Sequence, residues 1–416
     1  MWYSFATHIL VGEIDSMRIA IMTEGYYPEL SGVTVSLHHR LRWLSRWGHT
    51  VRVYAPDYSP LAGMYPHYHQ HRGEVLPGVT VVPFPSVPYY VNYARDPKPF
   101  SFSVVEADLR TFKPDVIHAE CPERLFMGWF ARPGIKLARR MKVPATAIYH
   151  TNYLAYIEDY KQNIAWLRLP GIQAALLKLI VTVYNSYHLT MVPSHITGNF
   201  LKRSGVRNTR VGAFNGVDTD LFHPNGAQPL PAFEALGDRL KVLYVGRLTP
   251  DKNIDLLLAA FDRVRAQTDR CGFILVGGGP EEERVRAWAN SPDALYLGRL
   301  PHEALPPLYG AADVFVTASL KENQPLSLWE AMACGLPVVG PAAGGLPEMI
   351  QPDQNGALAR PSDPDSLAEQ ILRLVHDPDL RRRMGQQASQ QAAQRSWEAC
   401  TRRMLTIWEE CVTAHT

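Results

Sequence analysis

Only five cysteines occur in the 416 residues, Cys121, Cys271, Cys334, Cys400 and Cys411, widely scattered and with no Cys-x-x-Cys pair. That excludes a disulfide scaffold and fits reduced, mostly buried thiols in a cytoplasmic protein. No run approaches the roughly 18 uninterrupted apolar residues that a membrane span needs. No Gly-x-Gly-x-x-Gly occurs, so the fingerprint of an NAD enzyme is missing. Low-complexity tracts and short-period repeats are absent too. The opening MWYSFATHILVGEIDS lacks a basic start and contains Glu13 and Asp15, which argues against a signal peptide. Strand-like RIAIM begins at Arg18, so residues 1–16 are expected to be an extension and Met17 the functional start.

What is present is a globular composition, 46% hydrophobic and 20% charged, long enough for two or three domains with cores of their own. The net charge of +2 hides an asymmetry. Through residue 213 there are 23 Lys and Arg against 14 Asp and Glu; beyond it there are 19 against 26. A basic half and an acidic half suggest two bodies with different partners. The basic excess is too dilute for a nucleic-acid groove and no nucleic-acid motif accompanies it, so nucleic acid is not expected as a partner.

Short apolar runs alternate with longer helical patterns, the rhythm of parallel βαβ units. In the first half the strand candidates are 18–22, 50–55, 79–84, 115–119, 145–149 and 189–193; the helical stretches include 35–48 and 124–142. The rhythm restarts with strands at 241–246, 273–278, 294–298, 313–318 and 337–341. The expected fold class is therefore α/β, with two doubly wound Rossmann-like domains facing across a cleft. Residues 17–213 form the first and 214–395 the second, the turn-rich stretch 214–231 joining them. A closing amphipathic helix spans 396–416. Open α/β sheets bind ligands beyond the carboxyl ends of their strands, so two facing domains point to a bisubstrate enzyme.

Several loops after strands carry candidate chemistry. In GRLTPDKNID (246–255), Arg247 and Lys252 flank a turn where a helix begins, which suits a pyrophosphate; a solvated turn is the alternative on spacing alone. In SLKENQPLSLWEAMACG (319–335), Glu322 lies in the loop and Glu330 inside the helix, while the backbone near Leu326 and Ser327 offers amides at a helix N-terminus. Either carboxylate could accept from sugar or ribose hydroxyls, or simply decorate a surface. Gly32, in YYPELSGVTVS, would let backbone approach an anion, and Gly278, in VGGGPEEE, reads first as part of a tight turn with Pro280 at the first helical position and second as a donor-binding residue in contact with the nucleotide. His150, at a strand end before Thr151 and Asn152, is a catalytic or a structural histidine, and His118 reads as packed within the sheet. Extended, His67, His69 and His71 would share one face, but no acid or cysteine completes a metal site.

Taken in order, MRIAIMTEGYYPELSGV, YHTN, MVPSHIT, FNGVDTDLFHP, YVGRLTPDKNID, LVGGGP, LGRLPHEALPPLYGAADVFVTAS and the Glu322/Glu330 block through PVVGPAAGGLPEMI resemble the retaining glycosyltransferases of the GT-B fold, family 4. The resemblance covers residues 17–410. Its first half, with FKPDVIHAECPERLFMGWFA and YHTNYLAYIEDY, is most similar to lipid-glycosylating members such as sulfoquinovosyl-diacylglycerol synthases. This implies that Arg247 and Lys252 bind the donor diphosphate, Glu330 the nucleotide ribose and Glu322 the donor sugar. It further implies that His150 approaches the transferred sugar, Gly32 brings an amide to the diphosphate, and Arg299 and Leu300 frame the base. One departure is Glu-Asn-Gln-Pro-Leu-Ser where the family usually shows Glu-Gly-Phe-Gly; Pro325 removes an amide from the phosphate cradle.

The expectation is a hexosyltransferase acting with retention, using a nucleotide-sugar, UDP first, and a hydroxyl acceptor on a membrane lipid or glycolipid. No cofactor and no divalent metal are expected. The protein is expected in the cytoplasm, resting peripherally on the inner face of an anionic membrane. A soluble or polysaccharide acceptor, a sugar-nucleotide epimerase or phosphorylase of the same fold, and a silent carbohydrate- or nucleotide-binding protein are the alternatives. A silent protein would more readily have lost Arg247, Lys252 or Glu330, and all three are present.

Overall fold

The computed structural model describes residues 16–88, 94–150, 171–212, 214–224 and 230–415. The expected extension (but for Ser16), Thr151 and Asn152, and residues 166–170, which open the long, mostly apolar stretch 166–184 expected to lie at the membrane surface, fall outside them. Two sheets organise the chain. The first contains β1 (Arg18–Met22), β2 (Thr50–Pro56), β3 (Gly73–Leu76) and β4 (Val79–Phe84). After a two-stranded ribbon, β5 (Ser86–Pro88) with β6 (Arg95–Pro97), it continues with β7 (Val116–Glu120), β8 (Ala145–Ile148), β9 (Leu189–Val192) and β10 (Thr209–Val211). Its order is β10-β9-β8-β7-β1-β2-β4-β3, parallel except for the β3 edge. The second sheet is all parallel: β11 (Leu240–Val245), β12 (Cys271–Val276), β13 (Ala294–Tyr296), β14 (Val314–Val316), β15 (Val338–Pro341) and β16 (Gly356–Ala359), in the order β13-β12-β11-β14-β15-β16. Each order reverses once, beside β1 in the first sheet and beside β11 in the second, and such reversals open a crevice at the strand carboxyl ends.

Each half carries its core on both faces of its sheet, as buried parallel strands require. The helix Gly32–Arg46 shows how the sequence dictates this. Ser31 and Thr34 form a reciprocal capping box that starts it, and Leu37, Leu41 and Leu44 recur at helical spacing to bury against β1 and β2. The closing helix, Trp397–Thr413, packs on the first half: Met404, Leu405, Ile407 and Trp408 join the same cluster, and Trp397 stacks on His39 at 4.9 Å. The chain passes between halves twice at one place, because Val217 N donates to Arg395 O at 2.9 Å. Only glycine fits at 216, since a Cβ there would meet Arg395 O at 2.8 Å.

Three local expectations are corrected. The stretch 124–142 is two helices, Pro122–Trp129 and Ile135–Met141, because Phe130 turns left-handed and Pro133-Gly134 breaks the ladder. His67, His69 and His71 are not extended: a 3-10 turn over Tyr68–His71 removes the shared face. Pro280 stands one residue before the N-cap Glu281, outside the helix Glu282–Trp288. Among the described residues no helix is long and apolar enough to cross a membrane.

Candidate active site

In the second half, the loops after β11 and β14 meet. Lys252 Nζ is ion-paired with Glu322 Oε1 and lies 3.6 Å from Asp251, while Arg247 Nη2 reaches Asp251 Oδ2 at 3.3 Å. Burial pushes the Asp251 carboxyl up, but Lys252 and Arg247 outweigh it and hold it below the usual range. Two cations are thus tethered at the sheet's reversal, with Arg247 half exposed and Lys252 largely covered. The helix Leu326–Ala333 starts alongside with Pro325 as its N-cap, so the first-turn amides without an intrahelical acceptor begin at Leu326 and Ser327. Pro325 therefore costs the N-cap amide and leaves those of the first turn.

Glu330, inside that helix, is buried and already held: Oε1 lies 2.8 Å from His302 Nε2 and Oε2 accepts from the Tyr309 hydroxyl at 2.9 Å. Burial works against a charged His302, but its bond to Glu330 and that charge prevail and raise its pKa. Gly278 lies opposite Arg299, whose Cβ is 3.5 Å from where a Gly278 side chain would begin. Arg299 is exposed and Leu300 half-buried.

In the first half the carboxyl ends of β7 and β8 supply Glu120 and His150. Glu120 is fully buried and pairs with Arg40 and His150, with His118 Nε2 at 3.4 Å. Burial would raise the Glu120 pKa; Arg40 and His150 overcome it and hold the carboxyl well below its ordinary value. His118 also meets Thr146 Oγ1 at 2.9 Å, the hydroxyl to which Trp408 of the closing helix donates at 3.1 Å. Gly32 opens its helix in an exposed position, with nothing within 4 Å of an added Cβ.

The structure thus brings Arg247, Lys252 and Glu322 together at the start of the Leu326 helix. It also brings His150 next to the same loop, because Asn323 Nδ2 donates to His150 O at 2.7 Å. Gly32 has no described contact to that cluster. Sequence reasoning missed Arg40, Glu120, His302, Tyr309 and the pair Gly344-Gly345. The last two let the backbone of Glu322 and Asn323 approach, since a Cβ at 345 would stand 1.9 Å from Asn323 O. The signals were there to read: an arginine inside the apolar stripe of a helix, and a glutamate ending a buried strand.

Residues 30–221 match the family model described as Glycosyltransferase Family 4, and residues 231–391 match that described as Glycosyl transferases group 1. The chain is 30% identical over 403 residues to a GDP-mannose-dependent alpha-mannosyltransferase of Mycobacterium tuberculosis, covering 94% of this chain and 96% of that one. It is 26% identical over 376 residues to an alpha-monoglucosyldiacylglycerol synthase of Streptococcus pneumoniae, covering 88% and 80%. Among solved structures, a sucrose-phosphate synthase from Thermosynechococcus elongatus superimposes with a TM-score of 0.73 at 22% identity, over 96% of this chain and 100% of that one, a likeness of fold.

Proposed function

This chain belongs to the family 4 glycosyltransferases of the GT-B fold, and we propose that it moves a hexose, with retention, from a nucleoside diphosphate to a hydroxyl on a membrane lipid or glycolipid. The observation that carries the reading is the Arg247–Asp251–Lys252–Glu322 cluster, set at the reversal of the second sheet and beside a helix N-terminus. When the sugar–phosphate bond breaks, negative charge gathers on the departing diphosphate. Arg247, Lys252 and the amides of Leu326 and Ser327 are fixed where they stabilise that charge without reorganising. Glu330, oriented by His302 and Tyr309, accepts from the ribose diol. Glu322, paired with Lys252, meets the sugar near its anomeric carbon, and Gly278, Arg299 and Leu300 border the nucleotide. His150 approaches the transferred sugar and the acceptor oxygen from the first half, with Gly32 offering backbone to the phosphates. The acceptor attacks the face from which the diphosphate leaves.

A lipid acceptor is supported by the diacylglycerol named for the pneumococcal relative and by the basic first half. UDP is the nucleoside diphosphate of first choice. A second reading, GDP-mannose, is favoured by the name of the mycobacterial relative. No divalent metal is assigned, because side chains and amides supply the positive charge. The test is nucleotide release from a panel of UDP-, GDP- and ADP-sugars, with and without lipid extract and with excess EDTA. Lipid-stimulated release from one donor, undiminished by EDTA, is expected. Release from none would overturn the reading, and rescue of an EDTA-inhibited reaction by Mn²⁺ or Mg²⁺ would overturn its metal-free part.

A further inference from the structure

We propose that Asn323 and Gln324 are positioning residues that clasp the Glu322 loop to the first half and so hold Glu322 in register with His150. The clasp deepens the reading of the site given above and rests on it. Both residues stand where this chain departs from the usual family pattern, and both side chains reach across the cleft. Asn323 Nδ2 donates to His150 O at 2.7 Å, and its Oδ1 accepts from the Thr197 hydroxyl at 3.1 Å. Gln324, only 8% exposed, donates through Nε2 to Pro193 O at 2.5 Å. Its own carbonyl accepts from Asn215 Nδ2 at 3.3 Å.

These bonds close a circuit. Asn215 Oδ1 accepts from Ser36 Oγ at 3.1 Å, Ser36 Oγ accepts from Arg40 at 3.3 Å, Arg40 pairs with Glu120, and Glu120 pairs with His150. His150, whose carbonyl takes the Asn323 bond, is therefore fixed through its side chain by the first half and through its backbone by the second. A parallel tie lies next to it. Glu348 accepts from the amides of His195 and Ile196, the first turn of the helix His195–Arg203. That tie belongs to the same block, because Gly345 N donates to Glu322 O at 2.6 Å. The bonds made by Asn323, Gln324, Glu348 and the Ser36–Asn215 pair cross between the halves and need them closed; the others lie within one half. Closure then brings donor loop and His150 into one arrangement, and misplacement by even an ångström is expensive in a transfer that depends on orientation.

The test uses the full chain with Asn323→Ala, Gln324→Ala, Thr197→Val, Thr197→Ser and the family-type double change Asn323→Gly/Gln324→Phe. A lost net hydrogen bond corresponds to roughly a five- to tenfold effect. Turnover at saturating substrates should fall about that much in each alanine variant and further in the double change. Hydrolysis of the donor relative to transfer should rise, while affinity for the free nucleoside diphosphate stays within about threefold, because its side-chain partners in the proposed site, Arg247, Lys252 and Glu330, all lie in the second half. Thr197→Val should lose turnover and be non-additive with Asn323→Ala, and Thr197→Ser should restore it. Normal turnover in both alanine variants, or a loss matched by an equal loss of nucleotide affinity, would overturn the clasp. If the unaltered chain binds no nucleoside diphosphate, the reading of the site fails and amide exchange decides the clasp separately. Faster exchange at 194–203 together with 322–326 in Gln324→Ala supports it; faster exchange confined to 322–326 overturns it.

Discussion

The two halves present their charges in opposite ways. In the first, Arg40 and Glu120 are essentially inaccessible and neutralise one another inside the protein, beside His118, whose pKa burial lowers. In the second, the Arg247 side chain is 55% exposed, and Asp251, Lys252 and Glu322 are each about 15% exposed. A charge sealed in a low-dielectric interior with its partner holds geometry; a charge left at a sheet's open end is available to a ligand. The contrast separates residues that hold the site's geometry from residues proposed to act on substrate, and the separation is measurable.

Removing one partner of a buried pair strands the other. Glu120→Ala leaves Arg40 charged and unpaired, so urea unfolding should show a loss of about 3–5 kcal/mol. Lys252→Ala should do the reverse, costing less stability than Glu120→Ala because its partners Asp251 and Glu322 keep some contact with solvent. Its transfer rate should fall by about two to three powers of ten, as when a fixed donor to a developing anion is deleted. Equal destabilisation by the two substitutions would erase the comparison.

Within the second half the carboxylates should divide. Glu330→Ala removes the acceptor that His302 and Tyr309 hold in place, so calorimetry should show nucleoside diphosphate binding weakened by roughly ten- to a hundredfold, the value of a hydrogen bond to a charged group. Glu322→Ala should leave that binding within about twofold and lower transfer, in keeping with its proposed place beside the sugar. The opposite pattern would exchange their roles.

The repeating βαβ order, both sheets and the second-half loops were legible because they depend on local periodicity and on motifs within a few residues. Short elements such as Thr209–Val211 and Gly356–Ala359 were not, since three or four residues give too little pattern. The break at Pro133-Gly134 was written in the sequence and was overridden by the helical period on either side. The first-half network was illegible for a different reason. Arg40 and Glu120 are each conspicuous where they stand, but they lie 80 residues apart and Asn323 and His150 173 apart, and nothing local to either partner announces the pairing.

The first half also buries carboxyls whose burial outweighs the nearby Arg124, and these carry a pH signature that no carboxyl among the described residues of the second half shares. Burial is the main cause raising Glu123 from 4.5 to about 8, with the Tyr184 hydroxyl opposing it through a bond to Oε2. A carboxyl raised on folding binds its proton more tightly in the folded state. Its contribution is complete below about pH 4.5 and is lost as pH rises toward about 8, at no more than about 1.4 kcal/mol per pH unit. Glu123→Gln should flatten the decline of unfolding free energy between pH 5 and 8, about the span of that shift. An unchanged slope would remove Glu123 from the account. Glu120, held well below its ordinary value, acts in the other direction: its contribution is present at neutral pH and lost only in strong acid.

The smallest effect concerns the surface on which the halves differ most. The first half exposes Phe100 (80%) and Phe130 (62%), whose rings stack at 5.5 Å, with Val104 and Met127 also exposed on the neighbouring helices. Arg132, Lys136, Arg139, Arg140 and Lys142 follow Phe130 in sequence and are all exposed; Arg140 approaches Glu106 on the same helix as Val104 at 3.7 Å. Aromatic rings beside cations suit the interface of an anionic bilayer, each nearby cation contributing about 1 kcal/mol and the rings adding apolar burial. A few such terms make a reversible, salt-sensitive attachment. The full chain should co-sediment with vesicles containing anionic lipid at low salt and be released at high salt. Phe100→Ser/Phe130→Ser should weaken the low-salt binding and leave its salt dependence, whereas Lys136→Glu/Arg139→Glu should weaken binding and flatten the salt dependence. No binding at low salt, together with efficient transfer to a water-soluble acceptor, would place the acceptor in solution and leave the first half's charge without a membrane partner.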